Sequence, residues 1–99
     1  METEDIKSTY VTIDQLLEDG PAYLWFMDIS AGVGGATIVT IYNSRSAVGE
    51  IALKKSVLTS DSKEFNPVAP LYCEKGIYID VDANILGVLV QTAKVIKGQ

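Results

Sequence analysis

The chain has 99 residues, of which 47% are hydrophobic; it carries a net charge of −5, one cysteine and no histidine. That length suits one compact domain. The acidic balance, with its eight basic residues scattered, excludes a phosphate-backbone partner, which needs clustered Lys and Arg. The missing histidines and lone Cys73 exclude structural zinc and an intrachain disulfide.

The apolar share is high for a small soluble protein, so part of it is expected at an interface. Residues 1–5, Met-Glu-Thr-Glu-Asp, are acidic where a signal peptide would be basic and then apolar. No apolar run approaches the roughly 20 residues that span a bilayer. A protein made in the cytoplasm, with no membrane partner, is the expectation.

Residues 1–7 are polar and without period, and read as a flexible N-terminal arm; residues 8–99 read as a single β-sandwich domain. A short first strand is expected over residues 8–13. Residues 14–21, Asp-Gln-Leu-Leu-Glu-Asp-Gly-Pro, suggest one helical turn closed by Gly20-Pro21. In residues 22–30, Tyr23, Trp25, Met27 and Ile29 share one parity while Leu24 and Phe26 hold the other, which predicts a strand buried on both sides. A glycine-rich reversal at residues 31–36 then leads into β-branched residues 37–43, expected to pair with the preceding strand as a hairpin.

A polar loop follows over residues 43–49. Residues 50–57 alternate weakly, with Ile51, Leu53 and Lys55 on one parity, and their lysines suggest an edge strand. Residues 59–64 read as a solvated loop, and Pro67 and Pro70 confine the next segment to an edge or an extended connection. The clearest stretch is residues 70–92. Ile77, Ile79 and Val81 alternate with Tyr78, Asp80 and Asp82, a turn falls at Asp82-Ala-Asn84, and Leu86, Val88 and Val90 resume the strand spacing. That pattern predicts a second hairpin with one apolar face. Short strands separated by turns, without an amphipathic helix, give an all-β class: a small antiparallel β-sandwich or jelly-roll-like domain of seven to eight short strands.

Few residues offer chemistry. Gly32, Gly34 and Gly35 open a strand instead of a helix, with Thr37 where a dinucleotide fingerprint needs its third glycine, so they read as a turn rather than a phosphate cradle. Asp80, Asp82 and Asn84 have the spacing that opens a calcium loop. However, Ile85 replaces the bend glycine and Gln91 the closing glutamate, and a solvated strand end is the expectation. Asp28 is the best carboxylate for acid–base work but has no partner in sequence. Ser56 beside Lys55 lacks a surrounding motif, and Cys73 reads as a packing residue. No enzyme, cofactor or metal is therefore expected. Tyr23, Trp25, Tyr42, Tyr72 and Tyr78 read as core or protein interface, with a sugar-stacking platform as the alternative.

The order of these pieces resembles a group of small virion proteins of tailed bacteriophages over residues 20–92. It runs Gly20-Pro21, an apolar strand, a glycine turn, Ala-Thr-Ile-Val-Thr-Ile-Tyr-Asn-Ser-Arg-Ser-Ala-Val-Gly over residues 36–49, the prolines at 67 and 70, and Lys-Gly-Ile-Tyr-Ile-Asp over residues 75–80. The resemblance implies a structural β-sandwich of the virion, a homotrimer working as a capsid decoration (cement) protein or fibre-base module. It implies no catalytic residues. The expectation is thus a chain that partners itself and a capsid or tail, with Trp25, Tyr42, Tyr72 and Tyr78 at protein interfaces; the alternative is a carbohydrate-binding module of a tail or fibre adhesin.

Overall fold

The computed structural model describes residues 2–96, so Met1 of the expected arm and residues 97–99 of the expected domain lie outside the described residues. It is all-β, as the alternating patterns require. The strands are β1 (Lys7–Val11), β2 (Gln15–Asp19), β3 (Ala22–Ala31), β4 (Thr37–Asn43), β5 (Glu50–Val57), β6 (Ser62–Phe65), β7 (Leu71–Cys73), β8 (Gly76–Val81) and β9 (Ile85–Lys94). They form two antiparallel sheets. One runs β1-β9-β3, with β6 and β7 lying end to end along the far edge of β3; the other runs β2-β8-β4-β5. The orders β1-β9-β3-β6 and β2-β8-β4-β5 are those of a jelly roll, with β7 added beside β3.

Neither of the two expected hairpins exists. β3 pairs with β9, β6 and β7, while β4 pairs with β5 and β8. Likewise β8 lies between β2 and β4, and β9 between β1 and β3. The turns at residues 32–36 and 82–84 are therefore arches that carry the chain from one sheet to the other. Alternation with period two fixes which side chains face the core, and it is the same whether the next strand lies beside or across.

The expected helical turn at residues 14–21 is strand β2 with a bulge at Leu17. Gln-Leu-Leu-Glu tolerates a helix, but pairing with β8 and burial of Leu17 override that weak preference. β6 likewise forms where the end of the expected solvated loop falls, which brings the strands among the described residues above eight. In β3 the two-sided apolar pattern has a different cause from two-sided burial. A bulge between Leu24 and Phe26 switches the parity, so that Ala22 and Leu24, then Met27 and Ile29, face inward. The bulge sits where the neighbouring edge strand breaks between β6 and β7. A further bulge, at Ala52 in β5, turns Ile51 outward although Leu53 faces the core.

The core between the sheets is aliphatic, with Val11, Leu24, Met27, Ile29, Val39, Ile41, Ile77, Ile79, Val88 and Val90 all fully buried. At one long side Glu18 is buried with its charge answered: Thr92 Oγ1 donates to Glu18 Oε2 at 2.8 Å, and Lys7 Nζ lies 3.4 Å from the same oxygen while also donating to the Leu17 carbonyl. This tie joins β1 and β9 to β2 across the sandwich. At the other side, the Lys55 ammonium stands 5.8 Å from the centroid of the Phe65 ring. The expected free arm is instead docked on its own chain: Thr3 bridges Val95, the Glu4 amide donates to the Lys94 carbonyl, and the Ile96 amide donates to the Glu2 carbonyl.

Candidate functional site

None of the eight aromatic residues belongs to the buried core. Register places five of them on the outward face of the first sheet. Tyr10 pairs with Leu89, which pairs with Asp28, which pairs with Glu64; one step along, Gln91 pairs with Phe26; one step further, Ala93 pairs with Tyr23, which pairs with Tyr72. The Tyr23 and Tyr72 rings stack at 5.1 Å between centroids, tilted by 44°. Trp25, pushed out by the bulge, stands among them and is 37% exposed; Tyr10 is 62% exposed. The Tyr10 ring crosses Gly87, where any side chain would collide with it.

The second sheet has a narrower outward row. Leu16 pairs with Tyr78, Tyr78 with Tyr42, and Tyr42 with Ile51, so one apolar line crosses all four strands. The next row along is polar, with Asp80 beside Thr40 and Thr40 beside Lys54. The four aromatics expected to act together are therefore divided, Trp25 and Tyr72 on one face and Tyr42 and Tyr78 on the opposite one. Tyr10, Phe26 and Leu89 belong with the first group and Leu16 and Ile51 with the second. A signal for Tyr10 was present, since it alternates with Val11, but nothing in sequence shows which outward residues become neighbours.

The acidic positions of the calcium-like spacing are used within the fold. The Asp82 carboxylate accepts from Thr37 Oγ1 at 2.5 Å, from the Ile38 amide at 2.8 Å and from the Asn84 amide at 3.0 Å. Asn84 Nδ2 donates to the Ala36 carbonyl, and the Gly32 amide donates to the Asn84 carbonyl. The two arches are thus clasped together at one end of the sandwich. Burial alone would raise the Asp82 carboxyl, but these hydrogen bonds hold it below its ordinary value. A third arch passes close by, where Asp14 Oδ1 accepts from the Val81 amide at 2.8 Å. Beside it lies an open depression of about 450 Å³, lined by Thr12, Ile13, Asp14, Val81, Asp82 and Ala83.

Asp80, next to this corner, is pushed up by burial and by the negative charges of Asp14 and Asp82. A carboxyl raised on folding favours the native state only while protonated. Its benefit is present below the ordinary value of 3.8 and is lost as pH rises through the folded value. Asp80→Asn should accordingly raise the thermal midpoint at pH 7 and leave it little changed near pH 3, a difference that melting curves at the two pH values would measure.

The remaining candidates do not converge. Asp28 faces outward opposite Glu64, away from the corner. Ser56 and Lys55 are neighbours in one strand and point to opposite sides. Cys73 is fully buried, and burial, aided by the charge of Glu50, pushes its thiol up to about 11, so little thiolate forms at neutral pH. Among the described residues, no group of three or more acidic or sulfur ligands is placed to share a metal ion. No protein-family model, curated protein or solved structure matches this chain.

Proposed function

We propose that this chain is a non-enzymatic structural protein of a phage particle, a capsid decoration protein that associates with itself and with the shell through outward apolar β-surface. The observation that carries the reading is the placement of the aromatic residues. Large aromatic side chains ordinarily supply much of a core's buried area. Here aliphatic residues fill the core, Phe65 alone of the aromatics packs against its rim, and five of the others stand on one sheet face. Surfaces of that composition are what protein interfaces use, with Trp and Tyr as anchors. The layout of the sequence supplies the phage setting, and the jelly-roll order is one that capsid proteins employ. Assembly as a homotrimer belongs to the same proposal.

The polar row of Asp80, Thr40 and Lys54 beside Tyr78 and Tyr42 favours one second reading, a glycan-binding module that stacks sugar rings on the tyrosines and bonds their hydroxyls from the neighbouring row. Two measurements decide between them. Light scattering across concentrations, together with binding to purified particles, should show an oligomer that occupies the shell. A chain that stays monomeric and ignores particles, but loses binding to an arrayed glycan on Tyr78→Ala, would replace the first reading with the second.

A further inference from the structure

We propose that Lys55 and Lys63 are gatekeepers, whose inward-pointing ammonium groups bar the β5–β6 side of the sandwich from adding the strands of another copy. The inference concerns a contact that the fold prevents, and it holds whichever face the chain turns to its partners. Along each open side of a sandwich the outer strands present amides and carbonyls that can template a foreign strand. On this side those strands are β5 and β6.

Register sets both lysines on the inner face. Lys55 is the cross-strand partner of Val39 and Lys63 that of Ile29. Both partners are fully buried core residues, and residues directly opposite each other share a face. Lys54, by contrast, pairs with Thr40 on the outward face of the second sheet.

The side as a whole is not basic, because Glu50, Asp61 and Glu64 stand on or beside the same strands. These acids leave the two inward lysines unanswered. Glu64 lies opposite Asp28 on the outward face, Glu50 accepts from Asn43 Nδ2, and Asp61 accepts from the Ser62 amide. Among the described residues the ion pairs are Lys7 with Glu18 and Arg45 with Asp19. Lys63 is exposed and Lys55 half-buried, so water reaches both. A copy pairing with β5 or β6 would extend the sheets over this opening and enclose two unpaired charges, which burial strongly penalises. The opposite side shows the other solution: Lys7 also points inward, beside buried Thr92, but Glu18 answers its charge. The bulge at Ala52 in β5, and Pro67 and Pro70 after β6, disrupt the same two edges further.

The test removes the charges and keeps the side-chain length. K55M/K63M is compared with K54M/K75M, which loses one outward lysine and one from the turn between β7 and β8. Each variant drops two positive charges, taking the net charge from −5 to −7, so a gain of association cannot come from weaker self-repulsion. Circular dichroism checks the fold, and the single changes K55M and K63M stand in if the pair does not fold. In sedimentation K55M/K63M should form species that keep growing with concentration, beginning at least about tenfold below the concentration at which the wild type or the control does so. Amide exchange in β5 and β6 should slow in those species. The proposal is overturned if the folded variant sediments like the wild type at every concentration. It is overturned equally if K54M/K75M associates as readily, or if the larger species form while exchange in β5 and β6 stays unchanged.

Discussion

Gly76→Ala should destabilise the fold by about 3 kcal/mol, a large fraction of what a domain of this size has to lose. Gly76 opens β8 at φ +144°, a backbone conformation that L-residues rarely adopt, and its position is closed in by main chain. A Cβ built there would lie 2.8 Å from the Glu18 carbonyl oxygen and 3.1 Å from that of Ser44. Neither neighbour can rotate aside as a side chain would. Ser44 follows Asn43, whose Oδ1 accepts from the Lys75 amide while its Nδ2 donates to Glu50, and Glu18 belongs to the buried tie with Thr92 and Lys7. Relief of the collision would have to shift β2 away from β8 and loosen that tie. Urea denaturation should show the midpoint falling with little change in slope, and an alanine variant as stable as the wild type would contradict this account.

Asp82→Ala should cost about 2 kcal/mol at neutral pH. The substitution leaves three donors without their acceptor, among them the hydroxyl of Thr37, a residue fully buried in the structure. It also unclasps the arch that follows β3 from the arch that follows β8. Because the native Asp82 carboxyl sits below its ordinary value, its stabilising contribution is complete above that value of 3.8 and declines as pH falls through the lower folded one. The gap between wild type and Asp82→Ala should therefore narrow in acid, most of the change coming below about pH 4. Paired denaturation curves at pH 7 and pH 3 measure it. Asp82→Asn, which keeps an acceptor oxygen but no charge, should fall between the two.

The fold class was legible because strand periodicity and turn residues are local. Ile77, Ile79, Val88 and Val90 announce inward faces, and all four are in the core. What was not legible was whether a turn folds a strand back beside its predecessor or lifts it to the opposite sheet. Asp82-Ala-Asn84 can begin a hairpin, and it is the waiting donors on Thr37 and Ile38, more than 40 residues away in sequence, that make it an arch. β2 was hidden for a related reason, since Leu16, Leu17 and Glu18 find their places only through β8 and the Thr92 hydroxyl. The outward aromatics were visible singly. Their division between two faces follows from the sheet that each strand joins, β3 and β7 in one and β4 and β8 in the other, and the bulge at Trp25, which a period-two reading passes over, sets that ring outward.

β9 lies between β1 and β3 in the centre of its sheet and places Val88 and Val90 in the core. β1 and β3 thus meet only through β9, which follows both of them in the chain. Until β9 emerges, β3 has one flank unpaired and the interior between the layers is open to water. A growing chain of this topology must wait, and it acquires its native pairing as a single late event instead of by stepwise addition of strands in the order they are synthesised.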